Sequence, residues 1–488
     1  MCGSILHNAI GVSAHIQRFH GARFFETVNR FLRQPIYLIA LSVLTVVFNL
    51  LRLDLLTYSC YFLLGIYIAL FAEDLLAMMP LVIFCYIAPS PFNNPGKGAN
   101  TGSVFYPENG GWFLYALLAV FVLCFVLRLA FDPAFGRLNF WKTKRKLWPG
   151  MLCLGVAYLL SGLGMAEYPE IYGKNLFFAG IQFASVFMMY FIFSGAVNWK
   201  IVPRDYFAWI GMCVGFVILP QLLENYLSGR IFMGNSGTID RELMFTGWGM
   251  HNNIGGMMAM MIPFPFYLAL RNQKGWVFTL LSTILMLGVL LSCSRTSMIV
   301  GSVSYVICAA GLLKRCRHRR LHVRVLRIAA GCVAAVCAIF WQQLSDIFRL
   351  FFEELFLISQ RDNLVQYGTK QFLAHPVFGG SFFPQGEYVP WTWITSDMGA
   401  FFPPRWHNTL VQVGASCGVV GLAAYCYHRI QTVQLLCRKP SLEKRYIGFY
   451  MGILLVLSLF DCHFFNVGPV LFYSMALAFG EKIELSEL

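Results

Sequence analysis

Long apolar runs are the feature that most constrains how this 488-residue chain folds. Each run extends over about 17 to 22 residues, the length that an α-helix needs to cross the ~30 Å hydrocarbon core of a bilayer. Lipid offers no hydrogen bonds to backbone N–H and C=O groups, so only α-helices and closed β-barrels span it. Because the alternation typical of barrel strands is absent from the sequence, we predict an all-α, polytopic transmembrane helical bundle.

The hydropathy pattern predicts about 14 spans, within a range of about 12 to 14, and both termini are predicted to be cytoplasmic. The predicted spans are 36–51, 55–72, 75–90, 112–131, 147–165, 175–198, 206–224, 251–270, 276–294, 297–313, 326–345, 408–427, 447–464 and 467–480. The longest segment without a span is an outer loop at 346–406. Its first half has apolar residues at helical spacing, and its second half is rich in Gly, Pro and aromatic residues. We therefore expect an ordered, partly helical lid over the outer mouth of the bundle.

Basic residues concentrate in alternate segments between the predicted spans. With the N-terminus inside, the inner segments carry KTKRK at 142–146, KRCRHRR at 314–320 and RKPSLEKR at 438–445, whereas the outer segments have few lysines. The net charge of +14 is thus a topology signal that also attracts anionic lipid, so we expect membrane lipid and no nucleic acid as a partner. The first apolar run is too long for a cleaved signal peptide, and no cysteine lies in a sizeable outer loop. We expect a multi-pass protein of a bacterial inner membrane without a disulfide framework.

Arg295 lies between two apolar spans in the stretch LLSCSRTSMIVGS. Its charge is near the predicted outer interface, where it is costly without a partner. Two interpretations stay open. The side chain extends to lipid headgroups, or it binds an anion, since a guanidinium grips phosphate oxygens through two parallel hydrogen bonds. The hydroxyls of Ser294, Thr296 and Ser297 fit either interpretation.

Two further arginines lie on the predicted outer side, Arg361 in the long loop and Arg241 just before a span. Taken separately, each is explained by an ion pair with a neighbouring acid, such as Glu242 or Asp362. Taken together with Arg295, they form an arginine-rich set that suits recognition of phosphates. We hypothesise that the three side chains converge on the outer face.

The segment PPRWHN places polar residues at the mouth of an apolar helix. One interpretation is that Asn408 caps the helix, while His407 is a solvated interfacial side chain and Arg405 contacts headgroups. The other is that His407 acts as a general base toward a sugar hydroxyl, because imidazoles titrate near neutral pH. Asp461 or His463, at the outer end of the next span, would then orient the ring.

Several other chemistries lack their sequence signatures. The chain contains no GxSxG, no P-loop and no zinc-type HExxH motif, and its predicted outer loops have no DxD-like carboxylate pair for a metal-bound nucleotide sugar. A glycan donor on the outer face would arrive on a lipid, because that compartment lacks nucleotide sugars.

Four segments resemble the O-antigen ligase and O-antigen polymerase superfamily of bacterial membrane glycosyltransferases. The His-Asn pair and Gly-x-x-Gly helix at 407–422 carry the most specific likeness. The Ser-Arg stretch at 294–301 and the outer-loop arginine with a His-Pro-x-x-Gly turn at 361–382 also resemble family motifs. The segment 241–264 is similar to the family's Arg-containing loop before an Asn-rich helix start, but it lacks the usual Asn-Pro-Asn.

The resemblance implies that a glycan moves from a polyprenyl-diphosphate carrier to a hydroxyl of a glycan, lipid or protein acceptor. It implies that Arg295 and Arg361 hold the diphosphate, with Arg241 as a third candidate, and that His407 acts on the acceptor. It also implies inversion at the anomeric carbon without metal or cofactor. The supporting positions are Ser294, Arg405 and Asn408.

Several functional alternatives stay open at this point. The sequence does not distinguish a ligase from a repeat-unit polymerase. A transporter or flippase of lipid-linked oligosaccharide would use the same arginines without breaking a bond, and a glycan-binding sensor would need only the outer loop. We divide the chain into a cytoplasmic segment 1–34, N-terminal transmembrane helices 35–224, an O-antigen ligase/polymerase-like core 225–480 that includes the outer loop 346–406, and a cytoplasmic tail 481–488.

Overall fold

The computed structural model describes residues 23–90, 111–131, 144–233, 238–339, 361–384 and 403–483, which are helical almost throughout. The α-helices are α1 Arg23–Leu32, α2 Pro35–Leu50, α3 Asp54–Phe71, α4 Met78–Ile87, α5 Gly111–Phe131, α6 Trp148–Leu159, α7 Tyr168–Phe183, α8 Met189–Ala196, α9 Tyr206–Leu227, α10 His251–Met261, α11 Pro263–Arg271, α12 Gly275–Leu291, α13 Arg295–Arg315, α14 Arg319–Ile339, α15 Arg361–Ala374, α16 Thr409–Cys437, α17 Leu442–Phe460 and α18 Val467–Lys482.

The remaining elements are short. A π-helical turn, Ala184–Met188, joins α7 to α8, and 3₁₀ turns lie at Arg241–Leu243 and His463–Phe465. Two antiparallel strand pairs precede α10, and their members are β1 Phe232–Met233, β2 Thr238–Ile239, β3 Phe245–Thr246 and β4 Gly249–Met250.

The prediction of an all-α, multi-pass membrane protein is confirmed. Seven of the described helical stretches are long and apolar enough to cross a membrane, and the pair formed by α1 and α2, bent by 76°, makes an eighth. Most helices coincide with predicted spans to within a few residues. The helix α14 begins seven residues earlier than predicted. Arginines are good helix formers, so the helix already starts before the apolar run. Of the predicted lid, residues 346–360 and 385–402 lie outside the described residues.

The helix α16 is broken at Gly418, whose backbone has left-handed φ 65° and ψ −159°. A turn of the outer loop at 376–380 fills the break. The Val419 N–H donates to the carbonyl of Pro376 at 2.8 Å, and the Gly380 N–H donates to the carbonyl of Ala415 at 2.7 Å. Unpaired backbone groups are costly inside an apolar bundle. The turn therefore supplies the hydrogen bonds that the broken helix lacks.

Helices near the N-terminus hold the same part of the outer loop. Asn175 on α7 donates from Nδ2 to the Ser161 carbonyl at 2.9 Å and accepts the Phe382 N–H at 2.9 Å. Gly162, with left-handed φ of 76°, donates its N–H to the Phe378 carbonyl at 2.9 Å. The N-terminal helices, which carry no motif of the superfamily, thus position the loop.

Aromatic packing completes this attachment. Phe382 is fully buried, and its ring centroid lies 5.8 Å from that of Tyr158, 5.0 Å from that of Phe178 and 5.6 Å from that of Phe465. Burying a phenyl ring contributes about 1.5–3 kcal/mol. The cluster joins α6, α7, the outer loop and the turn between α17 and α18 into one packed unit.

The break in α16 generates a prediction about stability. In Gly418→Ala, the new methyl would fall against the Val377 carbonyl, and the left-handed backbone alone costs an L-residue about 1–2 kcal/mol. We expect a lower midpoint of thermal unfolding in detergent and faster proteolysis of the outer loop. The control is Gly452→Ala on α17, where a methyl meets nothing within 4 Å. Equal stability of the two variants would contradict this role for Gly418.

Candidate active site

The helix α16 begins with a complete N-cap. The side-chain oxygen of Asn408 accepts the N–H groups of Leu410 at 2.9 Å and Val411 at 3.2 Å, and its Nδ2 donates to the Leu459 carbonyl at 3.1 Å. The N-cap position favours short polar side chains, because their oxygens accept hydrogen bonds from N–H groups that the first helical turn leaves unpaired. Asn408 therefore caps α16 and also ties it to the end of α17.

His407 lies next to an acid. Its Nδ1 is 3.4 Å from Oδ1 of Asp461, which follows α17 directly. The imidazole side chain is 28% exposed, so a substrate can reach it, whereas the Asp461 side chain is 15% exposed. The backbone of His407 is left-handed, with φ 52°. A non-glycine residue keeps that conformation only where its surroundings hold it, and such positions cluster at functional sites.

The environment of Asp461 keeps its carboxyl charged. Burial by itself raises the pKa of the Asp461 carboxyl. The rings of His407 and His463 outweigh burial and hold that pKa well below its usual range, and the Cys462 N–H, 2.6 Å from Oδ1, acts in the same direction. Because the pKa is depressed, the carboxylate stays charged even below the ordinary titration range of an aspartate and is lost only as the pH falls through the lowered value.

Arg405 points into the protein. Its Nη2 donates to the Phe465 carbonyl at 3.2 Å, and its guanidinium lies 5.3 Å above the centroid of the Phe178 ring. Burial lowers the pKa of this guanidinium, and the neighbouring Asp461 opposes that shift. Among the described residues, no hydrogen-bond partner reaches its Nη1. These contacts favour a role inside the site over the alternative of a headgroup contact.

The first turn of α10 connects this region to the helix that starts with Arg295. Asn252 accepts the Ser294 hydroxyl at 3.0 Å, and Asn253 accepts the Asn466 side-chain amide at 2.9 Å. Ser294 in turn lies just before α13, and Asn466 just before α18. The turn thus bridges the α13 start and the segment that carries Asp461.

Two glycines on α10 permit this close approach. A methyl at Gly255 would lie 3.0 Å from Cβ of Ser294, and a methyl at Gly256 would meet the ring of His463. The side chains of Ser294 and Ser297 share a hydrogen bond of 2.8 Å beside Gly255. The small residues therefore let two loops of the site pack on one helix.

The structure places the three predicted arginines differently. Arg295 is the first residue of α13 and is half-buried. Arg241 forms an ion pair with Glu242, with Nε 3.4 Å from Oε1, and its charge also acts on the buried thiol of Cys293, two residues before Arg295. Arg361 is the first residue of α15, but its side chain lies outside the described residues. The structure thus brings Arg241 near the α13 start, and the convergence of all three stays a prediction.

Sequence reasoning missed three contributors. Asn252 belongs to a second His-Asn pair, formed with His251, and Asn253 follows it. Polar residues repeated at an apolar helix start are the signal that points to them. Asn175 gives no such signal, because its partner Phe382 lies 207 residues away. Among the described residues, no three His, Cys, Asp or Glu side chains come together as metal ligands.

The central part of the chain matches a known protein family. Residues 280–426 match the family described as O-antigen ligase, and the predicted resemblance is confirmed over this range. The range contains Arg295, Arg361 and His407, whereas Arg241 and Asp461 lie outside it. No curated protein matches the chain.

The two roles of Asn408 can be separated by substitution. Asn408→Ala removes the cap and the bond to Leu459, and we expect a loss of about 1–2 kcal/mol in unfolding free energy from the cap alone. Asn408→Asp keeps the acceptor and loses only the donor, so its thermal midpoint should lie between those of Asn408→Ala and the native protein. Ser441→Ala, which removes the cap of α17, is the control that breaks no contact of the site. An Asn408→Ala variant as stable as the native protein would disprove the double role.

Proposed function

We propose that this protein is a membrane glycosyltransferase of the O-antigen ligase or polymerase type. It moves a glycan from a polyprenyl-diphosphate carrier to an acceptor hydroxyl on the outer face of the bacterial inner membrane, in the synthesis of cell-surface polysaccharide. The observation that carries the proposal is the 3.4 Å contact between His407 and Asp461. His407 lies within the range that matches the O-antigen ligase family, at the start of α16.

The pair supports a direct displacement. The acceptor hydroxyl gives its proton to Nε2 of His407 while its oxygen bonds to the anomeric carbon of the donor. The bond from that carbon to the phosphate oxygen breaks, and its electron pair leaves on polyprenyl diphosphate. Attack from the face opposite the leaving group inverts the anomeric carbon. Asp461 faces Nδ1, so it fixes the orientation of the ring and stabilises the imidazolium that forms.

We assign the departing diphosphate to Arg295 and Arg361, with Arg241 as a third contact. Guanidinium groups stabilise the negative charge that develops on the leaving oxygen, without a metal or cofactor. Arg295 is well placed for this, because the first turn of α13 presents backbone N–H groups and the positive end of its dipole to an anion. The hydroxyl of Ser294 lies beside it.

The same proposal includes the topology of about 14 spans with both termini in the cytoplasm. Side-chain contacts bring the turns at 292–294, 405–408 and 461–466 to one end of the bundle. The basic segments 314–320 and 438–445 follow the opposite ends of α13 and α16. The separation of the site from these basic segments along α13 and α16 supports an outer position for the site.

The alternative function, from a different class of protein, is a transporter of lipid-linked oligosaccharide. It would bind the same diphosphate, but it would need no base beside the acceptor. The paired imidazole and carboxylate favour the enzyme. Ligase and polymerase share this chemistry and differ only in the acceptor.

Substitution of His407 tests the proposal. Purified native protein, given a polyprenyl-diphosphate oligosaccharide and an acceptor glycan, should release polyprenyl diphosphate. His407→Ala should lower the rate by about 10²–10⁴-fold, as expected for a general base, while donor binding persists. His318→Ala, an exposed histidine between α13 and α14, is the control and should keep full activity.

Product analysis then separates the outcomes. A ladder of repeat units indicates a polymerase, and a single transfer to a different carrier indicates a ligase. If the donor crosses a vesicle membrane intact and His407→Ala has no effect, the protein is a transporter and the enzyme proposal fails.

A further inference from the structure

Gln412, in the first turn of α16, contacts both segments that carry the proposed pair. Its Oε1 accepts the backbone N–H of Trp406 at 3.0 Å and the thiol of Cys462 at 3.5 Å. Trp406 directly precedes His407, and Cys462 directly follows Asp461. One carbonyl oxygen thus links the chain on either side of the 3.4 Å contact between imidazole and carboxylate.

The surroundings fix the orientation of this amide. Gln412 and Trp406 are fully buried, and Nε2 of Gln412 donates to the Ser416 hydroxyl at 3.2 Å, which leaves Oε1 facing the two donors. Burial raises the pKa of the Cys462 thiol to about 12, so the thiol keeps its proton and remains a donor. A buried donor that loses its acceptor pays the full cost of desolvation. The network is therefore costly to break.

The residues around Trp406 leave it little freedom. On α15, Gly368 packs so closely on it that a methyl there would lie 3.0 Å from Cγ of the indole and 2.6 Å from Cγ1 of Val411. His407, the next residue, has the left-handed backbone that needs support from its neighbours. The amide of Gln412 supplies such support to the backbone at the residue before it.

We propose that Gln412 is a positioning residue, which holds the His407 imidazole and the Asp461 carboxylate in register by binding Trp406 and Cys462. The inference rests on the proposed function, in which His407 is the base. In this proposal Gln412 does not contact the reacting atoms. Gln412 therefore affects catalysis only through the pair of His407 and Asp461.

Gln412→Met tests this, because methionine has a similar size and only a weakly accepting sulfur in place of the amide oxygen. We expect turnover to fall about tenfold or more from misplacement of the base, with little change in donor KM. Because Gln412 contacts neither substrate in this proposal, the loss should appear in kcat and leave donor binding in place.

The same helix offers a matched control. Gln431 accepts the Gly150 N–H at 2.9 Å and donates to the Tyr427 hydroxyl, four residues away, at 2.9 Å. Gln431→Met removes equivalent bonds far from the pair, so it should leave kcat unchanged whatever its effect on thermal stability. If Gln412→Met fails to fold, a second pair of variants tests the same contact. Cys462→Ala should lower kcat, and Cys462→Ser, which keeps a donor, should restore it.

A double variant provides the decisive comparison. If Gln412 acts through the pair, Gln412→Met should add no further loss of kcat to Asp461→Asn, whereas independent effects on the activation free energy would add. Additive losses, or a kcat of Gln412→Met equal to that of Gln431→Met, would overturn this inference while His407→Ala remained inactive. Full activity of His407→Ala would instead overturn the proposed function itself.

Discussion

The break in α16 is the constraint on which the rest of the structure depends. A helix inside an apolar bundle cannot leave backbone groups unpaired, so the left-handed Gly418 requires partners from elsewhere in the chain. The turn 376–380 provides them. Once that turn is docked, α15 lies against α16, and Phe382 enters the aromatic cluster beneath Arg405. The described part of the outer loop, 361–384, is thus anchored within the bundle rather than resting on its surface.

The anchored loop and the turn after α17 together define the site. Asn408 joins the start of α16 to the end of α17, Arg405 binds the turn through the Phe465 carbonyl, and the His407–Asp461 contact lies between these two links. In the proposed mechanism, a base held on both sides loses little entropy when substrate binds, which is the advantage that a preorganised site has over a mobile side chain.

Much of this fold could be predicted from the sequence, because apolar runs of spanning length report helices directly. The position of His407 at the head of such a helix could also be predicted, since a His-Asn pair after PPR marks a helix start. The residue that contacts the His407 ring could not be predicted. Asp461 and His463 were equal candidates, and only the packing of His463 on Gly256 leaves Asp461 facing the Nδ1 of His407.

Other features depend on contacts between distant parts of the chain. Nothing local in Asn175 or Gly162 indicates that they hold the outer loop, because neither lies in a motif and their partners come more than 200 residues later. The two His-Asn pairs look alike in sequence, yet the first builds a bridge through Asn252 and the second presents His407 next to an acid. The difference comes from tertiary packing, which a local pattern does not encode.

The most direct test of the central claim is a structure of the protein with a bound, non-transferable polyprenyl-diphosphate glycan and an acceptor sugar. Our account predicts the acceptor hydroxyl within about 3 Å of Nε2 of His407, and the diphosphate held by Arg295 and Arg361 on the same face. A diphosphate bound at the opposite, basic end of the bundle, or an acceptor hydroxyl beyond the reach of His407, would contradict it.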